Sequence, residues 1–106
     1  MPKEKKALSE IKLASALKYD YSKDDVPSVV ASGQGEVAEE IISVAKEFDI
    51  PIYKDPPLAK ALGQLEIGSI IPEELYKAVA EILVFVYKLD QDKGNNAIYE
   101  TLLEGV

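Results

Sequence analysis

The clearest periodic pattern of apolar and polar residues runs from Glu36 to Asp49. Apolar side chains recur there at helical spacing, while glutamates and a lysine occupy the other side. The acids in the first turn suit the positive end of a helix dipole. The pattern therefore predicts an amphipathic helix whose apolar face consists of Val37, Ala38, Ile41, Ile42, Ala45 and Phe48.

Three short strands are predicted around this helix. The first covers Leu13 to Tyr19 and is followed by the turn-rich segment Asp20 to Asp25. The second covers Pro27 to Ala31, where a proline at the first position fits the start of a strand, and the third covers Ile50 to Tyr53. The second strand, the helix and the third strand form a βαβ unit, for which parallel strands and a right-handed crossover are the default.

The second half of the chain is predicted to be mostly helical. Leu58 to Leu62 has room for one or two helical turns, and a longer helix, the third and therefore numbered α3, begins at Pro72 and ends at about Leu89. A polar linker and a weakly amphipathic stretch, Ala97 to Leu103, follow this helix. The expected organisation is a polar leader at 1–12, a folded domain at 13–89, and a linker with a short C-terminal amphipathic segment at 90–106.

The longer helix carries more apolar surface than one core contact requires. On a helical wheel its apolar stripe is centred on Leu75, Val79, Ile82, Phe85 and Val86. Further apolar residues widen the stripe beyond about 100°, and we call this set the α3 flank: Tyr76, Ala80, Leu83, Val84 and Tyr87. Two interpretations remain open, since either another segment of the chain covers the flank or a partner protein docks there.

Composition excludes several functional classes. The chain has 106 residues, a net charge of −7 and no Cys, His, Trp or Arg, which removes thiol and imidazole chemistry and the usual zinc ligand sets. An acidic surface without arginine is also a poor nucleic-acid binder. No apolar run approaches the roughly 20 residues of a membrane span. We therefore expect a cytoplasmic protein without direct membrane insertion.

The sequence predicts no enzyme, no cofactor and no metal site. Adjacent carboxylates such as Glu39 and Glu40 diverge on a helix and do not form an acid and base couple. The alternative is a small-ligand or anion-binding protein that uses the Gly33 to Gly35 turn at a helix N-terminus. A plain tight turn is the simpler interpretation, because the third glycine and the following lysine of a nucleotide motif are missing and glutamates follow.

A run of short motifs closely resembles the cytoplasmic domain of the FlhB/YscU/SpaS family, the export-switch proteins of flagellar and type III secretion systems. The motifs include Ala16-Leu-Lys-Tyr-Asp20, Val29-Val-Ala-Ser-Gly33, Asp55-Pro-Pro-Leu-Ala-Lys-Ala-Leu62 and Ile71-Pro-Glu-Glu-Leu-Tyr-Lys-Ala-Val-Ala-Glu81. The resemblance implies a small mixed sheet wrapped by helices. Together with the βαβ unit, it predicts an α/β (α+β) fold with a three- to four-stranded sheet.

Two departures from the family pattern bear on function. Family members carry an N-terminal membrane domain, and this sequence resembles a free-standing copy of the cytoplasmic domain. They also carry an Asn-Pro-Thr-His motif at which the chain cleaves itself by asparagine cyclisation. The corresponding positions here are Ser9, Glu10, Ile11 and Lys12. Without the asparagine amide there is no nucleophile, so the resemblance predicts a chain that does not cleave itself.

The resemblance also points to a docking surface. A hydrophobic patch in the family is implicated in recognising export substrates, and it corresponds here to Val26, Pro27, Ala80 and Leu83. Two of these residues belong to the α3 flank. The predicted function is a non-enzymatic interaction module that binds flagellar or type III export substrates, or proteins of the export apparatus, and meets the membrane through such partners.

Overall fold

A computed structural model describes residues 11–91 and 98–105. Within these residues, four strands and three α-helices follow one another in the order strand, strand, helix, strand, helix, helix, strand, and a short 3-10 helix precedes the last α-helix. Their bounds are β1 Leu13–Asp20, β2 Ser28–Gln34, α1 Glu36–Glu47, β3 Ile52–Lys54, α2 Pro56–Gly63, the 3-10 helix Glu73–Leu75, α3 Tyr76–Gln91 and β4 Ile98–Gly105. The predicted helices and the first three strands are therefore present, with ends shifted by a few residues.

The strands form one mixed sheet in the order β2-β1-β4-β3. β1 is antiparallel to both of its neighbours, and β3 is parallel to β4. These relations give β2 and β3 the same direction, as the βαβ interpretation predicted, but two other strands lie between them. The predicted α/β (α+β) class with a small mixed sheet is confirmed.

The main difference from the sequence prediction concerns the C-terminal segment. Residues that we expected beyond the folded domain form β4, which lies inside the sheet between β1 and β3. Thr101, Leu102 and Leu103 are buried there at 0%, 1% and 0% exposure. A strand buried on both faces has consecutive apolar residues and no clean alternation, so its sequence resembled a weak amphipathic helix. The predicted linker at 92–97 and the leader at 1–10 lie outside the described residues.

α1 packs on a thin layer of small side chains. Ala38, Ile42 and Ala45 of the helix are buried against a cluster that includes Ala14 of β1 and Leu102 of β4. Gly33 of β2 allows this close approach, because a Cβ atom there would collide with the Val37 side chain.

Two residues predicted on the buried face of α1 are exposed instead. Val37 is 51% exposed and Phe48 is 69% exposed. Both lie at the edges of the predicted face, and the small side chains beneath α1 leave only a narrow strip of the helix in contact with the sheet.

The opposite face of the sheet carries the larger core. α2 and α3 bury a cluster of bigger side chains there: Leu17, Val29, Leu58, Ala59, Leu62, Ile71, Val79 and Leu103. The Asp55 carboxylate caps α2 by accepting a hydrogen bond from the Leu58 N–H at 3.2 Å. The Asp55 N–H in turn donates to the Glu104 carbonyl at 2.8 Å, which attaches the start of α2 to β4.

β4 should contribute to global stability as a core strand does. Replacing Leu103→Ala deletes buried side-chain atoms and leaves a cavity, which we expect to cost about 2–5 kcal/mol. Ile67→Ala, at a position that is 62% exposed, is the matched control and should change the free energy of unfolding by less than about 0.5 kcal/mol. Urea denaturation followed by circular dichroism measures both. Equal effects of the two substitutions would contradict the assignment of β4 to the core.

Candidate docking site

The α3 flank remains largely exposed in the structure. Tyr76, Val84 and Tyr87 are 42%, 51% and 47% exposed, and Ala80 is exposed as well. Within the described residues, Tyr76, Ala80 and Val84 therefore keep much of their surface open to solvent. Leu83 differs, since it is partly buried and packs against the larger core. The flank thus presents an apolar strip along one side of α3, with Leu83 at its inner edge.

Val26 and Pro27 are fixed next to the segment that leads into α3. The Ile71 N–H donates to the Pro27 carbonyl at 3.1 Å, and the Val29 N–H donates to the Ser69 carbonyl at 2.9 Å. Pro27 is buried and Val26 is half-buried. Ile71 belongs to the same hydrophobic cluster as Val79, against which Leu83 packs. The two halves of the predicted site are therefore connected through one cluster.

Sequence reasoning missed two exposed apolar residues beside this site. Ile67 and Ile70 are 62% and 61% exposed, and they lie in the loop whose backbone bonds to β2. Ile70 also forms an isolated bridge with Ser28. The sequence could have indicated them, because Ile67 and Ile70 stand in a predicted loop with glycine, serine and glutamate, where polar residues are usual. These side chains enlarge the apolar surface around Val26 and Pro27.

The loop before Val26 is held by a carboxylate at the end of β1. Asp20 accepts hydrogen bonds from the Ser22 hydroxyl at 2.6 Å and from the Ser22 N–H at 3.1 Å. The Lys23 ammonium lies 4.0 Å from the same carboxylate. The Ser22 hydrogen bonds, aided by the charge of Lys23, lower the pKa of Asp20 below its usual value. This arrangement orders the turn between β1 and β2 and has a structural role.

The geometry of the Gly33 to Gly35 turn does not favour the anion-binding alternative. Gly35 has a φ of 64°, and its N–H donates to the Lys12 carbonyl at 2.8 Å, so this amide already has a partner. Glu36 and Glu39 occupy the first turn of α1, where their charges would repel an anion. The two glycines serve the backbone turn and the close packing of α1.

Two of the four positions that match the family's cleavage motif lie in the described part of the chain. Ile11 is half-buried, and the Lys12 carbonyl accepts the hydrogen bond from Gly35. The Lys12 ammonium lies 3.8 Å from the Glu104 carboxylate at the end of β4. Ser9 and Glu10 lie outside the described residues. The end of the motif region is thus attached to the sheet through β2 and β4.

The described residues contain no group of three or more His, Cys, Asp or Glu side chains placed to hold a metal ion. Over the same part of the chain, no helix has both the length and the apolar character needed to cross a membrane. The features that distinguish the surface are therefore its apolar patches.

A small mixed sheet with an exposed apolar helix flank, and the motifs of the export-switch cytoplasmic domain, define the class of protein. The model of the FlhB HrpN YscU SpaS family matches residues 11–86, and the chain belongs to this family. The match ends before β4, so a central strand of the sheet lies beyond the matched region.

Individual relatives agree with this assignment. The chain is 44% identical over 90 residues to YlqH of Bacillus subtilis (strain 168), covering 85% of this chain and 97% of YlqH. It is 48% identical over 79 residues to the flagellar biosynthetic protein FlhB of the same organism, covering 74% of this chain but 22% of FlhB. A crystal structure of the EscU C-terminal domain with an asparagine-to-alanine substitution superposes with a TM-score of 0.67 at 31% identity, covering 76% of this chain and 79% of that domain.

The Asp20 turn makes stability depend on pH in a defined direction. The pKa of Asp20 is lower in the folded state than in the unfolded state. The ionised carboxylate therefore stabilises the fold at pH values above its unfolded pKa of about 3.9, and this stabilisation is lost as the pH falls through the folded pKa. Asp20→Asn should lower the melting temperature at pH 7, and the difference from the unmodified protein should shrink below about pH 4. Asp25→Asn, in the same loop and exposed, is the control. A melting-temperature difference that stays constant from pH 7 to pH 3 would contradict this role.

Proposed function

We propose that this protein is a non-enzymatic interaction module that docks flagellar or type III export substrates, or components of the export apparatus. The docking surface comprises Val26, Pro27, Ala80 and Leu83, of which Pro27 is buried and Val26 and Leu83 are half-buried, and it is flanked by the exposed side chains Tyr76, Val84 and Tyr87. The observation that carries the proposal is the exposed apolar α3 flank in a chain that belongs to the export-switch family. FlhB relatives are named as flagellar biosynthetic proteins, and this chain resembles one segment of them.

The exposed area favours a protein partner. Tyr76 and Tyr87, the first and last residues of the flank, are separated by three turns of α3, so the flank extends about 16 Å along the helix. Soluble domains rarely leave contiguous apolar surface of this kind uncovered unless a partner uses it. Tyrosines combine a large apolar ring with a hydrogen-bonding hydroxyl and are enriched in protein interfaces. An apolar segment of an export substrate fits a surface with these properties.

The proposed place of action is the cytoplasmic side of the export apparatus, reached through partners. Docking there requires no chemistry from this chain, in agreement with its lack of Cys and His. The docking residues lie on two separate segments, 26–27 and 76–87, and backbone hydrogen bonds attach the first segment to residues 69–71, shortly before α3. A pre-formed surface of this type loses little conformational entropy on binding.

Charge on the α3 flank should abolish partner binding without unfolding the domain. Ala80→Asp and Val84→Asp each place a carboxylate at an exposed apolar position, and we expect affinity for a docked apolar segment to fall at least about tenfold. Ser43→Asp, at an exposed position of α1, is the matched control. Biolayer interferometry against purified flagellar export substrates and apparatus proteins measures affinity, and thermal melts verify folding. Unchanged affinity of folded Ala80→Asp and Val84→Asp variants would rule out this surface.

The chain should also stay intact at residues 9–12, the positions that correspond to the family's self-cleavage motif. Ser9 and Glu10 replace the asparagine and proline of the family motif, so the side-chain amide that would attack the backbone carbonyl is missing. Intact-mass spectrometry after several days at pH 6 to 9 should show one species of the full mass. A fragment that begins near Glu10 would contradict this expectation.

A further inference from the structure

A second apolar surface lies on the face of the sheet opposite α3. A cleft of about 290 Å³ opens between the C-terminal half of α1 and strands β1, β2 and β4. The side chains on its floor are small, because Ala16 of β1 and Ala31 of β2 lie there as direct partners in the strand register. Ile41 and Val44 of α1 and Ile50 after it form the opposite wall. The cleft is therefore a space that the small side chains of the sheet leave under the helix.

The rim of this cleft is apolar and open to solvent. Val30 of β2 and Val44 of α1 line it and are 42% and 49% exposed. Phe48 follows Val44 by four residues, on the same side of the helix, and is 69% exposed. Val30 and Val44 thus extend the apolar surface of the cleft to its exposed rim, and exposed apolar surface on a soluble domain marks an interaction site.

The cleft is separate from the α3 flank. Leu102, which lines the cleft, belongs to the cluster under α1, whereas its neighbour Leu103 belongs to the core under α2 and α3. Successive residues of a strand point to opposite faces of the sheet, so the two surfaces lie on opposite sides of the domain. A ligand in the cleft would not compete directly with a partner on the α3 flank.

The ionisable residues that line the cleft are both acidic. Glu40 of α1 and Glu100 of β4 are its ionisable lining residues, and both are exposed. Lys18 is the register partner of Glu100 and lies beside the cleft without lining it. The two lining glutamates and a chain of net charge −7 favour a cationic group next to the apolar space.

We propose that this cleft binds an extended segment of a basic polypeptide, with one apolar side chain inserted under α1 and a neighbouring lysine or arginine paired with Glu40 or Glu100. The space of about 290 Å³ lies just below the roughly 300–1,000 Å³ of pockets for drug-sized ligands and cofactors, so it suits a single side chain of a longer occupant rather than a whole ligand. The apolar side chain supplies the burial, and the cation selects the orientation. The site goes beyond the proposed docking surface and does not depend on it.

Three peptides and the full chain test the proposal. The probe is a ten-residue peptide with a central Leu-Phe pair followed by two lysines; one comparison peptide has serines in place of the apolar pair, and the other has glutamates in place of the lysines. Binding is followed by amide chemical shifts in ¹⁵N-labelled protein. The probe should shift resonances of Val30, Ala31, Val44 and Ile50, and the two comparison peptides should bind at least about tenfold more weakly.

Substitutions in the protein test the apolar space of the cleft and its lining charges separately. Ala31→Leu fills the cleft from its floor and should abolish binding of the probe. Glu40→Gln with Glu100→Gln should weaken binding about three- to tenfold at low salt, whereas Glu36→Gln with Glu39→Gln removes the same charge outside the cleft lining and should change it less than about twofold. If Ala31→Leu fails to fold, the glutamine pairs still decide the question.

Several results would overturn the proposal. These are shifts confined to Tyr76, Ala80 and Val84, equal binding of the glutamate peptide, or absence of shifts at millimolar probe. Concentration-dependent shifts at the cleft without peptide would assign it to a second copy of the chain. Nuclear Overhauser contacts between the cleft and another segment of the same chain would assign it to that segment.

Discussion

The fold depends on the antiparallel pairing of β1 with β4. All eight residues of β1, from Leu13 to Asp20, have a partner in β4. Among the described strands β3 pairs with β4 alone and therefore reaches the sheet through it, and the start of α2 is bonded to the Glu104 carbonyl of β4. Leu102 and Leu103 place one side chain in each of the two hydrophobic clusters. One strand thus joins both layers of the domain.

The two layers differ in the size of their side chains, and this difference explains both exposed surfaces. Under α1 the sheet offers the small residues Ala14, Ala16 and Gly33 beside Leu102 and Ile52, so the helix sits close but leaves an open cleft at its C-terminal half. Under α2 and α3 the sheet offers leucines and valine, which fill the space and hold α3 through Val79 and Val86. The remaining apolar side of α3 then has no core left to enter and faces solvent.

Local pattern was sufficient for the helices and for three of the four strands. α1 and α3 carry long periodic segments, and β1 to β3 are bounded by turn residues or prolines. β4 could not be predicted in this way, because its pairing with residues at the other end of the chain leaves no local signature. The surplus of apolar residues on α3 was visible in the sequence, but the burial of Leu83 and the exposure of Phe85 depend on tertiary contacts. The cleft under α1 was not predicted, because the sequence does not show whether an alanine packs tightly against a helix or leaves an open space beneath it.

The position of β4 also governs how the chain folds during its synthesis. β1 is made well before β4, the strand with which it forms its longest pairing. Until then both clusters lack a member and β1 keeps an unpaired edge, which is the kind of edge that recruits strands from other chains. Pairing between such distant residues also raises the contact order and slows the final step. The nascent domain is therefore an open sheet for most of its translation, and its window of exposure to chaperones and to other unfinished copies closes only when β4 has been made.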